Sequence, residues 1–501
     1  MKIEKTMLFN SFEFAVFLPI VFLLYWFVFD YAMRRCRRQV LWQNLFVVAA
    51  SYVFYGWWDW RFLLLIAFTT LCSFASGIGI EKANGRGKRA VMVVNIIINL
   101  LILDLYKYYD FFVESFAQMF GVDGEPLLLH LILPVGISFY TFQALSYSID
   151  VYRGKVEATH DIAAFAAFIS FFPLLVAGPI ERATNLLPQF LQKRWFDYSQ
   201  AVDGMRQILW GLFKKIVVAD NCATYVDTVW ADYGAQSGST LVLAAVLFSI
   251  QIYGDFSGYS DIALGTSKLF GIQAMRNFNV PYFSRDIAEF WRRWHISLTT
   301  WFRDYVYIPL GGSRPVVPES VQHPEAYKKA VIIRNTFVIF LLSGFWHGAN
   351  WTFVLWGAYH ALLFMPLILL GRNRRYRDTV AEGRVLPNLR EVGQMVGTFA
   401  LAAVGWVLFR APDISACYHY LAGICDVSLF SIPWLMVRTF YIPLFFAILL
   451  MLLIEWLNRG EEHSLARVPS NKILRVLLYW GLFLFIVLFT GQNETFIYFQ
   501  F

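Results

Sequence analysis

The stretch "LLSGFWHGANWTFVLWGAYHALLF" (residues 341–364) joins two apolar runs through a short polar break. His347 sits in that break. The two runs end in basic stretches that we expect to be loops, residues 328–334 before them and residues 372–375 after them. Lys and Arg collect on the cytoplasmic side of membrane proteins. The pattern therefore predicts a membrane hairpin whose outer ends face the cytoplasm and whose apex carries His347.

Apolar runs of this kind recur along the whole chain. It has 501 residues, of which 58% are hydrophobic and only 15% are charged, whereas soluble domains carry about 25% charged residues. A helix needs about 20 residues to span a bilayer. By that criterion the candidate spans are residues 10–30, 39–57, 61–81, 90–113, 129–150, 161–179, 206–222, 239–256, 331–346, 349–371, 392–410, 435–457 and 473–491. The sequence predicts an all-α integral membrane protein, with residues 1–501 in a single transmembrane domain.

The basic residues set the orientation of these spans and argue against nucleic acid as a partner. The net charge of +7 comes from Lys and Arg in short loops between apolar runs, an arrangement typical of membrane topology. The loops predicted to face the cytoplasm are residues 33–39, 82–89, 371–377 and 458–475. Residues 473–491 then form a final span that runs outward. We expect both termini on the extracytoplasmic side and the lipid bilayer as the surrounding partner.

Two segments do not fit a plain count of spans. Residues 161–179 contain Pro173 and Gly178 and lie between basic segments, and residues 281–312 are amphipathic and rich in Arg and Trp. Interrupted backbone survives at membrane depth only where protein or a water-filled cavity surrounds it. We therefore expect a re-entrant element at residues 161–179, and we expect both segments to line a cavity open to the cytoplasm.

Three of the eight histidines, His295, His347 and His360, lie in apolar or amphipathic runs. Ionisable side chains inside a membrane are costly, so their default interpretation is functional. Gly344 and Gly348 flank His347 and allow another backbone to approach closely, which makes it the strongest candidate. For the other two, a hydrogen-bonded core histidine is the alternative.

One amphipathic stretch, "EFWRRWHISLTTWFRDYVYIPLGGSR" (residues 289–314), alternates Trp and Arg. One interpretation is an interfacial helix whose arginines meet lipid phosphates. The other is a basic, aromatic lining for an anionic donor, because arginine binds phosphate through a bidentate fork. The residues that would bind the donor are Arg292, Arg293, Trp294 and Arg303.

Two further motifs place polar groups in apolar helices. "YGDFSGYSDIALG" (residues 253–265) puts Asp255 and Asp261 beside the end of a span, and "LPVGISFYTFQALSYSIDVYRG" (residues 133–154) carries hydroxyl, amide and carboxyl groups. Polar groups in such a helix usually bond to neighbouring helices, so we favour a structural role for the second motif. The five cysteines lack metal-binding spacing and the chain has no HExxH motif, so we expect no metal site.

Four motifs together resemble those of the membrane-bound O-acyltransferases. They are "VGISFYTFQALSYSIDVYRG", "YGDFSGYSDIALG", "FWRRWHISLTTWFRDYVYIPLGG" and "SGFWHGANWTFVLWGAYH". The resemblance is closest to the bacterial branch that modifies polysaccharides, which includes the alginate O-acetylation proteins. It implies a ring of about 11–13 transmembrane helices plus re-entrant elements around a thinned centre. It also implies that His347 and His295 are the two catalytic histidines.

The last residues, "ETFIYFQF" (residues 494–501, here the C-terminal tail), hold four aromatic rings. They resemble an aromatic C-terminal motif of the same branch, which implies an acyl relay with Tyr498 as the oxygen nucleophile. The alternative is an aromatic belt at the membrane interface.

The resemblance also implies an activity for the whole chain. An acetyl group from cytoplasmic acetyl-CoA, a substrate rather than a bound cofactor, would pass through Tyr498, with His347 as the base, to the far side of a bacterial inner membrane. An extracytoplasmic Ser-His-Asp esterase-like (SGNH) partner would then place it on a polysaccharide such as alginate. The alternatives are a multi-span transporter and a non-catalytic scaffold of a polysaccharide export complex.

Overall fold

The computed structural model describes residues 7–33, 36–176, 178–435, 438–489 and 496–497. Within these ranges every regular element is a helix, which confirms the all-α prediction. Eight of the described helices are long and apolar enough to cross a membrane. They are Phe12–Met33, Arg61–Lys82, Arg86–Lys107, Gly238–Leu269, Pro324–His347, Trp351–Leu369, Leu389–Arg410 and Phe440–Leu457. The chain is therefore a multi-pass membrane protein.

The α-helices are numbered here in chain order. They are α1 (Phe12–Leu23), α2 (Asp30–Met33), α3 (Gln39–Gly56), α4 (Arg61–Lys82), α5 (Arg86–Lys107), α6 (Tyr109–Phe120), α7 (Ile137–Tyr152), α8 (Ile162–Ser170), α9 (Phe172–Leu175), α10 (Ala183–Leu191), α11 (Tyr198–Leu212), α12 (Asp220–Ala231), α13 (Gly238–Leu269), α14 (Ile287–Arg293), α15 (Ile296–Phe302), α16 (Pro324–His347), α17 (Trp351–Leu369), α18 (Leu389–Arg410), α19 (Ile414–Ile424), α20 (Arg438–Leu457) and α21 (Lys472–Leu488). Wider π-helical turns follow α1, α11 and α15 at Leu24–Phe29, Phe213–Ala219 and Arg303–Tyr307. Short 3₁₀ turns lie at Glu125–Leu127, Tyr233–Ala235, Pro281–Phe283 and Val427–Phe430.

The chain forms two compact units. The first holds Met1–Ile208 and Ile262–Met275, and the second holds Leu209–Asp261 and Arg276–Phe501. The predicted catalytic histidines belong to the second unit. That residues 1–501 act as a single transmembrane domain stays a prediction.

Buried polar contacts tie the helices of the first unit together. Asn95 on α5 donates its amide to the Ser148 hydroxyl on α7 at 2.7 Å, and Ser76 on α4 lies 3.3 Å from the same hydroxyl. Gln143, also on α7, donates to the Phe168 carbonyl at 3.0 Å. These contacts agree with the structural role favoured for residues 133–154, because polar side chains on α7 bond to three neighbouring helices.

Several segments fold differently from the plain spans that hydropathy suggests. Residues 161–179 contain two short helices, α8 and α9, in place of one span, as the interruption by Pro173 indicated. Residues 281–312 contain the seven-residue helices α14 and α15. The break between them falls at His295, whose φ of +43° no right-handed helix can include.

Two sequence expectations in the second unit were wrong. Asp255 and Asp261 do not stand beside the end of a span, because α13 continues to Leu269; buried lysines described below pair with both carboxylates. Residues 328–334 are not a loop, since α16 begins at Pro324. Proline is favoured in the first helical turn, where its missing N–H costs no hydrogen bond.

The hairpin predicted around His347 is formed by α16 and α17. A Cβ atom at Gly344 would overlap the carbonyl oxygen of Phe353, and one at Gly357 would overlap the carbonyl oxygen of Phe340. The two backbones therefore touch without side chains between them, as at other small-residue helix crossings in membranes. The crossing at Gly344 lies three residues before His347 and holds the end of α16 against α17.

Candidate functional site

His347 is the last residue of α16 and is 3% exposed. The helix ends after it at Gly348, whose backbone is extended and packs so closely on Phe353 that a Cβ atom there would overlap the Phe353 ring. Asn350 then begins α17: its side chain accepts a hydrogen bond from the Thr352 amide at 3.0 Å and donates to the Pro412 carbonyl at 2.8 Å. The apex of the hairpin is thus held from both sides.

Aromatic rings surround the His347 imidazole. The ring centroids of Trp346 and Trp356 each lie 5.1 Å from that of His347. The ring of Phe409, on α18, lies 5.4 Å away. Rings on three sides restrict the orientation of the imidazole and make its surroundings apolar, which strengthens any electrostatic interaction it makes.

His295 lies beside His347, with 6.1 Å between the ring centroids. Its left-handed backbone, with φ +43°, is unusual for a residue with a side chain, and such strain costs about 1–3 kcal/mol and clusters at functional sites. Asn277 holds this turn: its carbonyl accepts the Ile296 amide at 2.8 Å and its side-chain oxygen accepts the Ser297 hydroxyl at 2.9 Å. The two predicted catalytic histidines are therefore neighbours in a rigid setting.

His295 lies outside the helices that are long enough to span a membrane, and it is 1% exposed. Burial lowers the pKa of His295 to about 3. The imidazole is therefore neutral near pH 7, and a neutral imidazole has one N–H donor and one acceptor nitrogen.

His360 serves the packing of the second unit. It is fully buried on α17, and its Nδ1 accepts a hydrogen bond from the Trp291 indole of α14 at 3.3 Å. The Trp356 ring lies 5.0 Å from it. This geometry agrees with the core-histidine alternative.

The four residues predicted to bind the donor are placed differently. Arg292 is exposed and donates to the Asn373 carbonyl at 2.8 Å, and Arg303 is exposed beside Asp304 at 2.7 Å. Arg293 and Trp294 are both buried. Two of the four are thus open to a soluble ligand, and donor binding by any of them stays a prediction.

Arg293 belongs to a buried ion-pair cluster built on Glu289. The Glu289 carboxylate accepts from Arg293 at 2.9 Å and from Arg285 at 3.0 Å, and it is 1% exposed. Arg285 also pairs with Asp378 at 3.1 Å, and that hydrogen bonding holds the pKa of Asp378 below its usual range. Sequence reasoning missed Glu289, although its spacing of four residues from both arginines was a usable signal.

The described part of the C-terminal tail reaches this region. Phe496 is fully buried, with its ring centroid 4.2 Å from that of Tyr259 and 5.8 Å from that of Phe256. Phe256 in turn lies 4.7 Å from His295. Tyr498, the predicted nucleophile, lies outside the described residues.

A family model and several known proteins are similar to this chain, and all of them are named for acyl transfer. A model of "MBOAT, membrane-bound O-acyltransferase family" matches residues 153–400. The chain is 40% identical to the probable alginate O-acetylase AlgI of Pseudomonas aeruginosa over 381 residues, which cover 75% of this chain and 68% of that relative. It is 32% identical to the peptidoglycan O-acetyltransferase of Helicobacter pylori over 507 residues, covering 94% and 86%. The teichoic acid D-alanyltransferase of Bacillus subtilis is 31% identical over 254 residues, covering 50% and 62%.

Proposed function

Because the chain belongs to the membrane-bound O-acyltransferase family, we propose that it moves an acetyl group from cytoplasmic acetyl-CoA to an extracytoplasmic polysaccharide. Support for acetyl over D-alanyl comes from the relatives: those named for O-acetylation match more of this chain than the one named for D-alanylation. Alginate is the acceptor that the 40% identical relative's name suggests.

The observation that carries this proposal is the pair of buried histidines 6.1 Å apart, with the tail packed one ring away. The Tyr498 hydroxyl oxygen attacks the thioester carbonyl carbon, and His347 takes the hydroxyl proton. A phenol has a reference pKa near 10 and histidine near 6.5, so the oxygen needs such a base. The C–S bond then breaks, and the CoA thiolate recovers the proton from His347. The products are free CoA and an acetyl-tyrosine ester.

His295 supports the same step as a hydrogen-bond donor. Its neutral imidazole directs one N–H at the thioester carbonyl oxygen, where negative charge develops as the bond forms. The rings of Phe256 and Trp346, with centroids 4.7 Å and 5.8 Å from that of His295, restrict its orientation before substrate arrives. On the cytoplasmic side, the exposed Arg292 and Arg303 meet the phosphates of CoA, as the charge of guanidinium groups favours.

The acetyl group leaves on the other side of the membrane. Phenolate is a good leaving group, so the acetyl-tyrosine ester readily passes its acetyl group to the serine of a Ser-His-Asp esterase-like (SGNH) partner. That partner then acetylates a polysaccharide hydroxyl. This sequence of steps requires the bacterial inner membrane, with Tyr498 on the extracytoplasmic side.

The test uses purified protein and acetyl-CoA radiolabelled in the acetyl group. We expect the wild-type chain to become labelled. The labelling rate of His347→Ala should be about 10²–10⁴-fold lower, since general-base catalysis contributes about that much. His419→Ala is the matched control, because His419 is exposed on α19. A monodisperse His347→Ala protein that labels at the wild-type rate would exclude the proposed base. It would leave the transporter or scaffold alternatives, which tolerate that change.

A further inference from the structure

Two adjacent lysines of the second unit are buried, and each pairs with an aspartate of α13. Lys214 Nζ lies 2.6 Å from Asp261. Lys215 Nζ lies 2.9 Å from Asp255 Oδ1 and 2.7 Å from Asp220. The Lys215 side chain is 1% exposed and that of Asp255 is 4% exposed. The proposed acyl transfer uses none of these groups. Burying a charged side chain costs free energy, so these ion pairs are candidates for a further function.

Glycines of the 253–265 motif bring these pairs together. A Cβ atom at Gly258 would lie 2.8 Å from the Gly211 carbonyl oxygen, and one at Gly254 would lie 3.2 Å from the Lys214 carbonyl oxygen. α13 therefore packs directly against the π-helical turn Phe213–Ala219. Such turns are rare and occur often at functional sites. This local geometry points Lys215 at Asp255.

The other oxygen of the Asp255 carboxylate binds the C-terminal tail. Asp255 Oδ2 accepts a hydrogen bond from the backbone amide of Ile497 at 2.7 Å, in a buried setting. Ile497 is 2% exposed, and the ring of its neighbour Phe496 packs on Tyr259 and Phe256. The described residues 496–497 of the tail are thus attached to α13 by a polar contact and by aromatic contacts.

We propose that Asp255 is a positioning residue, which docks the C-terminal tail through the Ile497 amide and so sets Tyr498 for acyl transfer, while Lys215 holds the Asp255 carboxylate. This inference rests on the proposed function. The bond is made to the backbone amide of the residue before Tyr498, so it anchors the residue to which Tyr498 is joined. Phe256, next to Asp255 in sequence, contacts His295. One turn of α13 therefore contacts both Ile497, through Asp255, and His295, through Phe256.

Docking is tested without any acyl transfer. A cysteine is introduced by Ile497→Cys, and its alkylation by a maleimide is followed by peptide mass spectrometry. Hydrogen bonds to charged groups are among the stronger ones, so adding Asp255→Ala should speed alkylation about 10–100-fold. Lys215 keeps Asp220 as its partner in that variant. The control is Asp227→Ala, which removes the 2.8 Å ion pair between Asp227 on α12 and Arg410 on α18. This variant should leave the alkylation rate unchanged.

The consequence for the reaction is tested with Ile497→Pro, which removes the amide donor and leaves the buried ion pairs intact. Small misplacements of reacting groups cost about 10²-fold in rate. We therefore expect acetylation of Tyr498 to fall about 10²-fold in Ile497→Pro and in Asp255→Ala, with the KM for acetyl-CoA unchanged. The Asp227→Ala protein should react like the wild type.

The outcomes separate the two proposals. Equal alkylation with and without Asp255 would overturn the docking role, whatever the enzyme does. Wild-type acetylation of Tyr498 in Ile497→Pro would also overturn it. A wild-type chain that never acquires acetyl at Tyr498 would contradict the proposed function instead, and the alkylation rates would still decide the docking. Should Asp255→Ala fail to fold, Ile497→Pro decides alone.

Discussion

Glu289 links two arginines in the segment that precedes His295. Its buried carboxylate pairs with both Arg285 and Arg293. Removing one partner of a buried ion pair typically costs about 3–5 kcal/mol, because the other charge stays buried. We expect Glu289→Ala to lower the stability by about that amount, seen as a lower melting temperature of the detergent-purified protein. Glu382→Ala, at an exposed carboxylate, is the control and should change stability by less than about 0.5 kcal/mol.

Some residues of the site were predicted from the sequence, and others were not. His347 and His295 were singled out from their apolar surroundings, the family resemblance implied their catalytic roles, and their rings lie 6.1 Å apart. Lys215 and Asn277 were not predicted as partners of the site. Two adjacent lysines in an apolar run were a visible signal, but the bond between Asp255 and Ile497 joins residues 242 apart. Spacing along one helix cannot show which distant segments meet.

Among the elements, the α16–α17 hairpin is the one that positions the proposed base. Gly344→Ala would push a methyl group into the Phe353 carbonyl, and overpacking of this kind costs about 1–3 kcal/mol. We expect this variant to melt at a lower temperature and to lose acetyl transfer with it. Gly397→Ala is the matched control: nothing lies within 4 Å of a Cβ at that position of α18. It should be neutral or stabilising, since alanine favours helix over glycine by about 1 kcal/mol. Equal melting temperatures for the two variants would contradict the close crossing.

The hydropathy pattern predicted where these helices lie better than it predicted where each of them ends. The hairpin apex was predicted at His347, because basic residues flank both apolar runs. Interrupted backbone was expected within residues 281–312, but the position of the break between α14 and α15 was not predicted, because a single left-handed residue leaves no periodic trace in the sequence. The full length of α13 was missed as well. Aspartates normally end an apolar run, but here buried lysines pair with both carboxylates inside the helix.

For the whole molecule, the distribution of Lys and Arg predicts an orientation that is open to direct test. Residues 82–89 should face the cytoplasm, and the loop that follows α6 should face outward. A membrane-impermeant maleimide should therefore label a cysteine introduced by Asp123→Cys in intact spheroplasts. It should label one introduced by Asn84→Cys only after lysis. Both positions are exposed, and peptide mass spectrometry separates them from the native cysteines. The reverse pattern would place Tyr498 on the wrong side for the proposed handover.

If acetyl passes through Tyr498, the acetyl group should be found on that residue after the purified protein has been mixed with acetyl-CoA. Peptide mass spectrometry of the quenched reaction should find an acetyl ester on Tyr498 in the wild-type chain and in His419→Ala. It should find none in Tyr498→Phe, and only a trace in His347→Ala. An acetyl group carried by another residue, or retained by Tyr498→Phe to the wild-type extent, would contradict the relay.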